Sequence, residues 1–310
     1  MKRASPLIEQ FLEEMRLEKD APTTTRDAYR VDLTQYSNYL LGENLVPVKN
    51  DYPDLTEADR LCVRAFIAFR SEKDSKSTLR RKLSAIRSFY SYLRKSGQIL
   101  QNPARLVAQS KKKELLPEVM TVLDTQNVLN SRLDGELAHR DLALLEMLYS
   151  TGARVSEIVG ADLGDMDREL GTLRVLGKRR KERLVMIGEA AKQAMKIYVE
   201  QTAALRQRHF GGAGKGPFFL TRGGKRLSRE SAGHIARKYG LASGSGRHVT
   251  PHTFRHCFAT HMLERGANLR EIQEMLGHAR LSTTQIYTHL SVEHIREIYE
   301  KAHPHGKKSG

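Results

Sequence analysis

Cysteine is scarce: the 310 residues hold two, Cys62 and Cys257. They lie far apart inside apolar helical patterns, which argues against both a disulfide framework and a metal site and points to buried thiols in a reducing compartment, the cytoplasm. Long apolar runs are missing as well. The N-terminus, M-K-R-A-S-P-L-I-E-Q, has no continuous apolar core, and no stretch approaches the roughly 20 apolar residues of a membrane span, so a soluble protein is expected. Acidic residues are outnumbered, 36 Asp+Glu against 52 Lys+Arg, giving a net charge of +16 and a pI near 9.9. A surplus of this sign favours a polyanionic partner, nucleic acid first, over a merely solvated basic surface. The glycines between 211 and 216 lack the spacing of a phosphate-cradling loop and read as a flexible connection.

The length allows two domains with cores of their own. Ser5 and Pro6 open a helix over 5–17, with Leu7, Ile8, Phe11, Leu12 and Met15 at helical spacing. Further helices are expected over 23–41, 54–71 and 77–95, which makes the first 100 residues a four-helix bundle. The fourth carries Lys76, Arg80, Arg81, Lys82, Arg87 and Arg94 around its apolar stripe, a density that suits either a phosphate backbone or a solvated helix face. A polar, basic linker follows over 101–117, containing Asn102-Pro103 and the lysines 111–113. The second domain, 118–310, begins with helices near 125–133 and 138–149, and Gly152 ends the latter. Arg154 stands two residues beyond, at a helix junction where Glu157 can orient it or merely pair with it. Two β-rich runs, 172–176 and 183–187, form a hairpin with the basic tip G-K-R-R-K-E, with Lys178 at the start of its turn. Helices at 189–208 and near 228–239 complete this stretch.

Chemistry-bearing residues concentrate between 250 and 290. Thr250-Pro251 reads as an N-cap followed by the first helical residue. Phe254, Phe258 and Met262 make the buried stripe of that helix, leaving His252 and Arg255, three residues apart, on a flanking face. Leu269, Ile272 and Leu276 mark a second helix, capped by Gly277, so His278 leaves it in an ordered turn. Ser282 and Gln285 suggest a capping box for a short last helix carrying Tyr287. The segment 291–302 forms a final amphipathic helix with Val292, Ile295 and Ile298 on its stripe, before a flexible tail from His303.

A phosphodiester under attack develops charge on its non-bridging oxygens, and guanidinium groups match that geometry with paired hydrogen bonds. Arg154 and Arg255 fit that role, and with Lys178 and His252 they supply the cation-rich surroundings that a tyrosine nucleophile needs. Singly, each has an ordinary reading: an ion-paired helix end, a helix-start histidine, a half-buried tyrosine.

Together, T-G-A-R-V-S-E at 151–157, G-K-R-R-K-E-R at 177–183, H-T-F-R-H at 252–256, L-G-H at 276–278 and S-T-T-Q-I-Y-T-H at 282–289 resemble the tyrosine recombinases in order and spacing. The ending A-H-P-H-G-K-K resembles most the XerC subgroup, which resolves chromosome dimers. The resemblance implies a mainly α, two-domain fold: an N-terminal four-helix core-binding bundle of the SAM-like type and a mostly helical catalytic domain with a small hairpin sheet, the two clamping duplex DNA. It implies Tyr287 as nucleophile in a 3′-phosphotyrosyl link, Arg154 and Arg255 as phosphate clamp, and Lys178 as general acid for the leaving 5′-oxygen. His252 becomes the acid/base partner and His278 a hydrogen-bond donor to the phosphate. Arg179-Arg180 departs from the Gly-Asn or Gly-Ser usual in related hairpins, which leaves Lys181 as the alternative acid. No metal, nucleotide or other cofactor is implied, because the covalent link keeps the phosphodiester energy. The implied partners are a second recombinase of the XerD kind in a heterotetramer, two of each, or else further copies of this chain in a homotetramer, on two dif-like sites, and a septal DNA translocase of the FtsK type; the C-terminal helix is expected to dock into a neighbouring subunit. A mobile-element integrase of the same chemistry is the alternative, disfavoured by the lack of an extra N-terminal arm-binding domain. A non-catalytic DNA-binding protein is the other.

Overall fold

The computed structural model describes residues 5–18, 21–107, 119–131, 135–167, 169–177, 181–244, 246–277 and 289–306. The fold is mostly helical and divides into two compact units, Met1–Glu114 and Leu115–Gly310.

Unit one is built from α1 (Pro6–Leu17), α2 (Thr23–Gly42), α3 (Arg60–Ser71) and α4 (Lys76–Lys95). Phe11, Leu33, Tyr36, Phe66, Ile86, Phe89 and Tyr90 are almost fully buried among them. Each such side chain contributes about 1.5–3 kcal/mol by leaving water. The Tyr36 and Tyr90 hydroxyls meet at 3.0 Å and satisfy each other inside this core. The expected helix from 54 starts only at Arg60, where the Asp59 side chain accepts the Cys62 N–H at 2.9 Å. Upstream, β1 (Val48–Lys49) and β2 (Tyr52–Pro53) pair antiparallel across Asn50 and Asp51, both at positive φ. That is the two-residue hairpin geometry that Asn and Asp tolerate.

In unit two the hub is α6 (Ala138–Thr151), whose residues from Ala143 to Thr151 are all buried. Around it stand α5 (Val122–Leu129), α7 (Val155–Gly160), α8 (Glu189–Gln201), α10 (Arg229–Ala242) and α11 (Pro251–Glu264). A three-stranded antiparallel sheet runs β3 (Met166–Asp167), β4 (Thr172–Leu176), β5 (Glu182–Met186), with Thr172 opposite Met186 and Leu176 opposite Glu182. The stretch expected as one helix over 189–208 breaks at Thr202 into α8 and α9 (Ala203–Phe210). The glycine-rich loop after α9 is pinned rather than free. Arg206, fully buried, donates to the carbonyls of Pro217 (2.7 Å), Phe218 (3.0 Å) and Lys215 (3.3 Å). Burial pushes its guanidinium pKa down.

Finally, α12 (Leu269–Leu276) and α13 (His289–Ala302) close a smaller cluster with α11, containing Met186, Phe258, Met262, Met275, Leu276, Tyr299 and Ala302. The resemblance implied that the C-terminal helix docks into a neighbour; here it packs on its own unit, with Ile295 and Ile298 against that cluster. Nor is the start of the tail free, since His303 is fully buried. Among the described residues no helix is long and apolar enough to cross a membrane.

Candidate active site

α6 ends at Gly152, which adopts φ 58° and sits where a Cβ would lie 2.5 Å from the Phe258 ring. Only glycine satisfies both the left-handed turn and the close approach. The turn delivers Arg154 as N-cap of α7, and Glu157 folds back to accept the Arg154 amide at 2.7 Å and its guanidinium at 3.0 Å. Glu157 thus orients Arg154, whose side chain stays 38 % exposed.

A third residue shares that carboxylate. Arg183 on β5 donates to both Glu157 oxygens, at 2.6 and 2.8 Å, and is only 7 % exposed. Burial alone raises the Glu157 carboxyl, but Arg183, followed by the Arg154 amide and guanidinium, outweighs it and holds the group below its ordinary 4.5. Arg183 closes the G-K-R-R-K-E-R motif, and the family resemblance gives it no part in the site. A signal was present: it shares a strand face with Val185, which is buried, and a buried charge requires a partner.

α11 starts as the sequence indicates, with Thr250 accepting the Thr253 N–H at 3.2 Å and Pro251 in the first turn. Phe254, Phe258 and Met262 are buried, His252 is exposed and Arg255 half-buried. Arg255 crosses to the ends of two other helices, donating to Gly152 O at 2.7 Å and to Leu276 O at 2.8 Å. A guanidinium has five N–H donors, so these two bonds leave others for an anion. Burial first, and then the charges of Arg154 and Arg183, push Arg255 down to about 10. It remains cationic at neutral pH. Three guanidinium groups therefore surround one carboxylate, an imbalance that an anion would relieve.

α12 ends at Gly277 with φ 67°, as the capping role requires. Lys178, His278 and Tyr287 lie outside the described residues, as do Arg179, Arg180 and the expected capping box of Ser282 and Gln285. Lys181 is described and exposed. Tyr299 is fully buried with its hydroxyl 2.7 Å from Ser150 Oγ, and burial raises it well above the ordinary tyrosine value.

The basic residues of α4 separate into two groups. Lys76 is exposed and Arg80 half-buried. Lys82 is 2 % exposed, its ammonium 3.2 Å from Asp32 and also bonded to Gln35, and Asp32 binds Arg81 too. Arg87 donates to the carbonyls of Ala104 (3.1 Å) and Val107 (2.5 Å). Lys82 is therefore taken up inside unit one, whereas Arg87, half-buried and bonded only to carbonyls, keeps its charge and further N–H donors.

Two family models cover nearly the whole chain: the N-terminal SAM-like domain of phage integrases over residues 8–97, and the phage integrase family over 118–294. The chain belongs to the phage integrase family and is a tyrosine recombinase of the Xer type. It is 40 % identical to the tyrosine recombinase XerC of Thermodesulfovibrio yellowstonii over 303 residues, 97 % of each chain. To XerC of Pseudomonas aeruginosa LESB58 it is 36 % identical, covering 98 % of this chain and 96 % of the relative. XerD of Staphylococcus epidermidis RP62A is 35 % identical, with 96 % and 98 % covered. Among solved structures, XerH bound to a palindromic difH substrate in a post-cleavage complex shares the fold, at TM-score 0.67 and 20 % identity over 94 % of this chain and 82 % of that one.

Proposed function

We propose that this recombinase cuts and rejoins duplex DNA at a dif-like chromosomal site, resolving chromosome dimers in the cytoplasm before division. The Tyr287 oxygen attacks the phosphorus and the bond to the 5′-oxygen breaks, leaving a 3′-phosphotyrosyl link. His252 takes the tyrosine proton and Lys178 protonates the departing 5′-oxygen. Arg154 and Arg255 hold the non-bridging oxygens, and His278 donates a further hydrogen bond to them. A 5′-hydroxyl from the other duplex then reverses the step. The observation that carries this reading is the guanidinium imbalance: Arg154, Arg183 and Arg255 share the single carboxylate of Glu157, so two positive charges stay uncompensated, and Arg154 and Arg255 keep unused donors.

Similarity to both XerC and XerD relatives supports a second, XerD-type recombinase as partner; the tetramer and a septal translocase of the FtsK type as regulator go with the same family reading. The domain boundaries that go with this reading are 1–100 for core binding, 101–117 for the linker and 118–310 for catalysis. A nicked suicide duplex carrying a dif-like site tests the chemistry. The parent should form a covalent protein–DNA species on denaturing gels and Tyr287→Phe should bind without forming one. A covalent band from Tyr287→Phe would place the nucleophile elsewhere, and trapping only on a mobile-element junction would favour an integrase.

A further inference from the structure

Arg183 enters the site from β5, a strand carrying none of the residues assigned above. Its two terminal nitrogens hold Glu157, and its Nε points to Met275 O at 3.4 Å. Arg255 takes the next carbonyl, Leu276 O. The last two carbonyls of α12 have no partner within their own helix, so two guanidinium groups act as its C-terminal cap. Gly277 lies directly against Arg183: a Cβ there would be 3.0–3.2 Å from its Cδ, Nε and Cζ. A single side chain thus bears on the carboxylate that orients Arg154 and on the turn from which His278 follows in sequence.

We propose that Arg183 is a positioning residue for strand cleavage: through Glu157 it sets the Arg154 guanidinium, and through the end of α12 it sets the turn at Gly277. It touches no substrate. The proposal rests on the reading of Arg154 as a phosphate-binding group. Its alternative is a buried ion pair that only stabilises the fold, and the two differ in the pH profile. Among the described residues, the charged groups facing Glu157 are Arg154 from α7, Arg183 from β5 and Arg255 from α11. Without Arg183, Glu157 loses its largest favourable partner and its carboxyl rises; once protonated, it loses charge-assisted hold on Arg154.

The experiment is single-turnover cleavage of the nicked suicide duplex by full-length Arg183→Lys, Arg183→Met and Arg183→Met/Glu157→Gln, with melting temperature and duplex affinity measured alongside. Lysine keeps the charge but not the two-pronged geometry. Arg183→Lys should cleave about 10²-fold more slowly at a temperature where it is folded, because small misplacement of a catalytic group costs that much. Its duplex affinity should be unchanged. Arg183→Met should gain an acid limb, its rate falling as pH drops, and the added Glu157→Gln should abolish that limb. A folded Arg183→Lys cleaving at the parental rate overturns the proposal. So does an Arg183→Met profile parallel to the parent's, and so does failure of both single variants to fold, which would make the role structural. Arg154→Ala cleaving normally would instead overturn the underlying reading.

Discussion

His303 lies flat on Tyr299, ring centroids 4.6 Å apart and planes 8° from parallel, with neither residue more than 2 % exposed. This stack fastens the end of α13 to its own unit. Tyr149 of α6 faces the same imidazole at 5.0 Å, His305 at 5.2 Å and His261 at 5.8 Å. His303 Nδ1 accepts the His305 N–H at 3.0 Å, and His305 Nδ1 lies 3.3 Å from Glu146. Subunit exchange of the helix, if it occurs, must first break this packing.

The packing should be acid-sensitive. Burial, with the charge of His305 and then of His261 and Arg265 adding to it, pushes His303 well below the ordinary 6.5, and burial lowers His261 too. At His303 the docked form binds fewer protons than the undocked one, so stability is complete above pH 6.5 and is lost as pH falls below it, by about 1.4 kcal/mol per unit. Amide exchange of residues 299–306 across this range measures the effect. His303→Phe keeps a ring in the stack and should flatten the dependence by one proton. A parent curve flat between pH 6.5 and 5 would sink the idea.

Lys82 gives a stability prediction. Lys82 and Asp32 are 2 % and 0 % exposed, so Lys82→Met leaves a buried carboxylate short of a partner and should cost roughly 3–5 kcal/mol in urea unfolding. Asp32→Leu added to it should recover most of the loss, since Arg81, 41 % exposed, can turn to water. A Lys82→Met variant as stable as the parent but weaker on DNA would restore Lys82 to the phosphate-facing set.

Why α11 was legible and Lys82 was not comes down to the range of the determining contacts. Thr250, Pro251 and the Phe254–Phe258–Met262 stripe act within one helix, so local spacing identifies them. The roles of Lys82 and Arg87 depend on Asp32 of α2 and on carbonyls near residue 105, which no helical periodicity encodes. The helix expected from 54 begins only at Arg60, because Leu55 and Ala58 are buried from the turn before it and apolar spacing does not separate the two cases. The placement of Arg154 at a helix junction beside Glu157, and of Arg255 on the flank of α11, follows from local spacing. Arg183 was hidden because its partner, Glu157, is 26 residues away and had already been paired with Arg154.

DNA affinity should fall steeply with salt, because contacts to several phosphates release counterions. Lys76, exposed at the start of α4, is expected to face the backbone. Lys76→Ala should reduce the slope of log affinity against log salt by about one and weaken all duplexes alike. Affinity nearly flat between low and physiological salt would show that the basic surface is not the DNA face.

The departing 5′-alkoxide is so poor a leaving group at neutral pH that a proton must reach it in the transition state, a contribution of roughly 10²–10⁴-fold. The hairpin between β4 and β5 offers two lysines for this, Lys178 and Lys181, and the Gly177 N–H donates to Lys181 O at 2.8 Å, which closes the turn. Replacing the bridging oxygen by sulfur gives a thiolate, which departs unprotonated because thiol pKa values are far lower. Lys178→Ala should therefore be severely slowed on ordinary DNA and largely rescued on the sulfur-substituted site. Arg154→Ala, which loses charge stabilisation on the non-bridging oxygens, should gain nothing from sulfur. If Lys181→Ala is rescued and Lys178→Ala is not, the arginines at 179 and 180 have shifted the register of the turn and the later lysine is the acid.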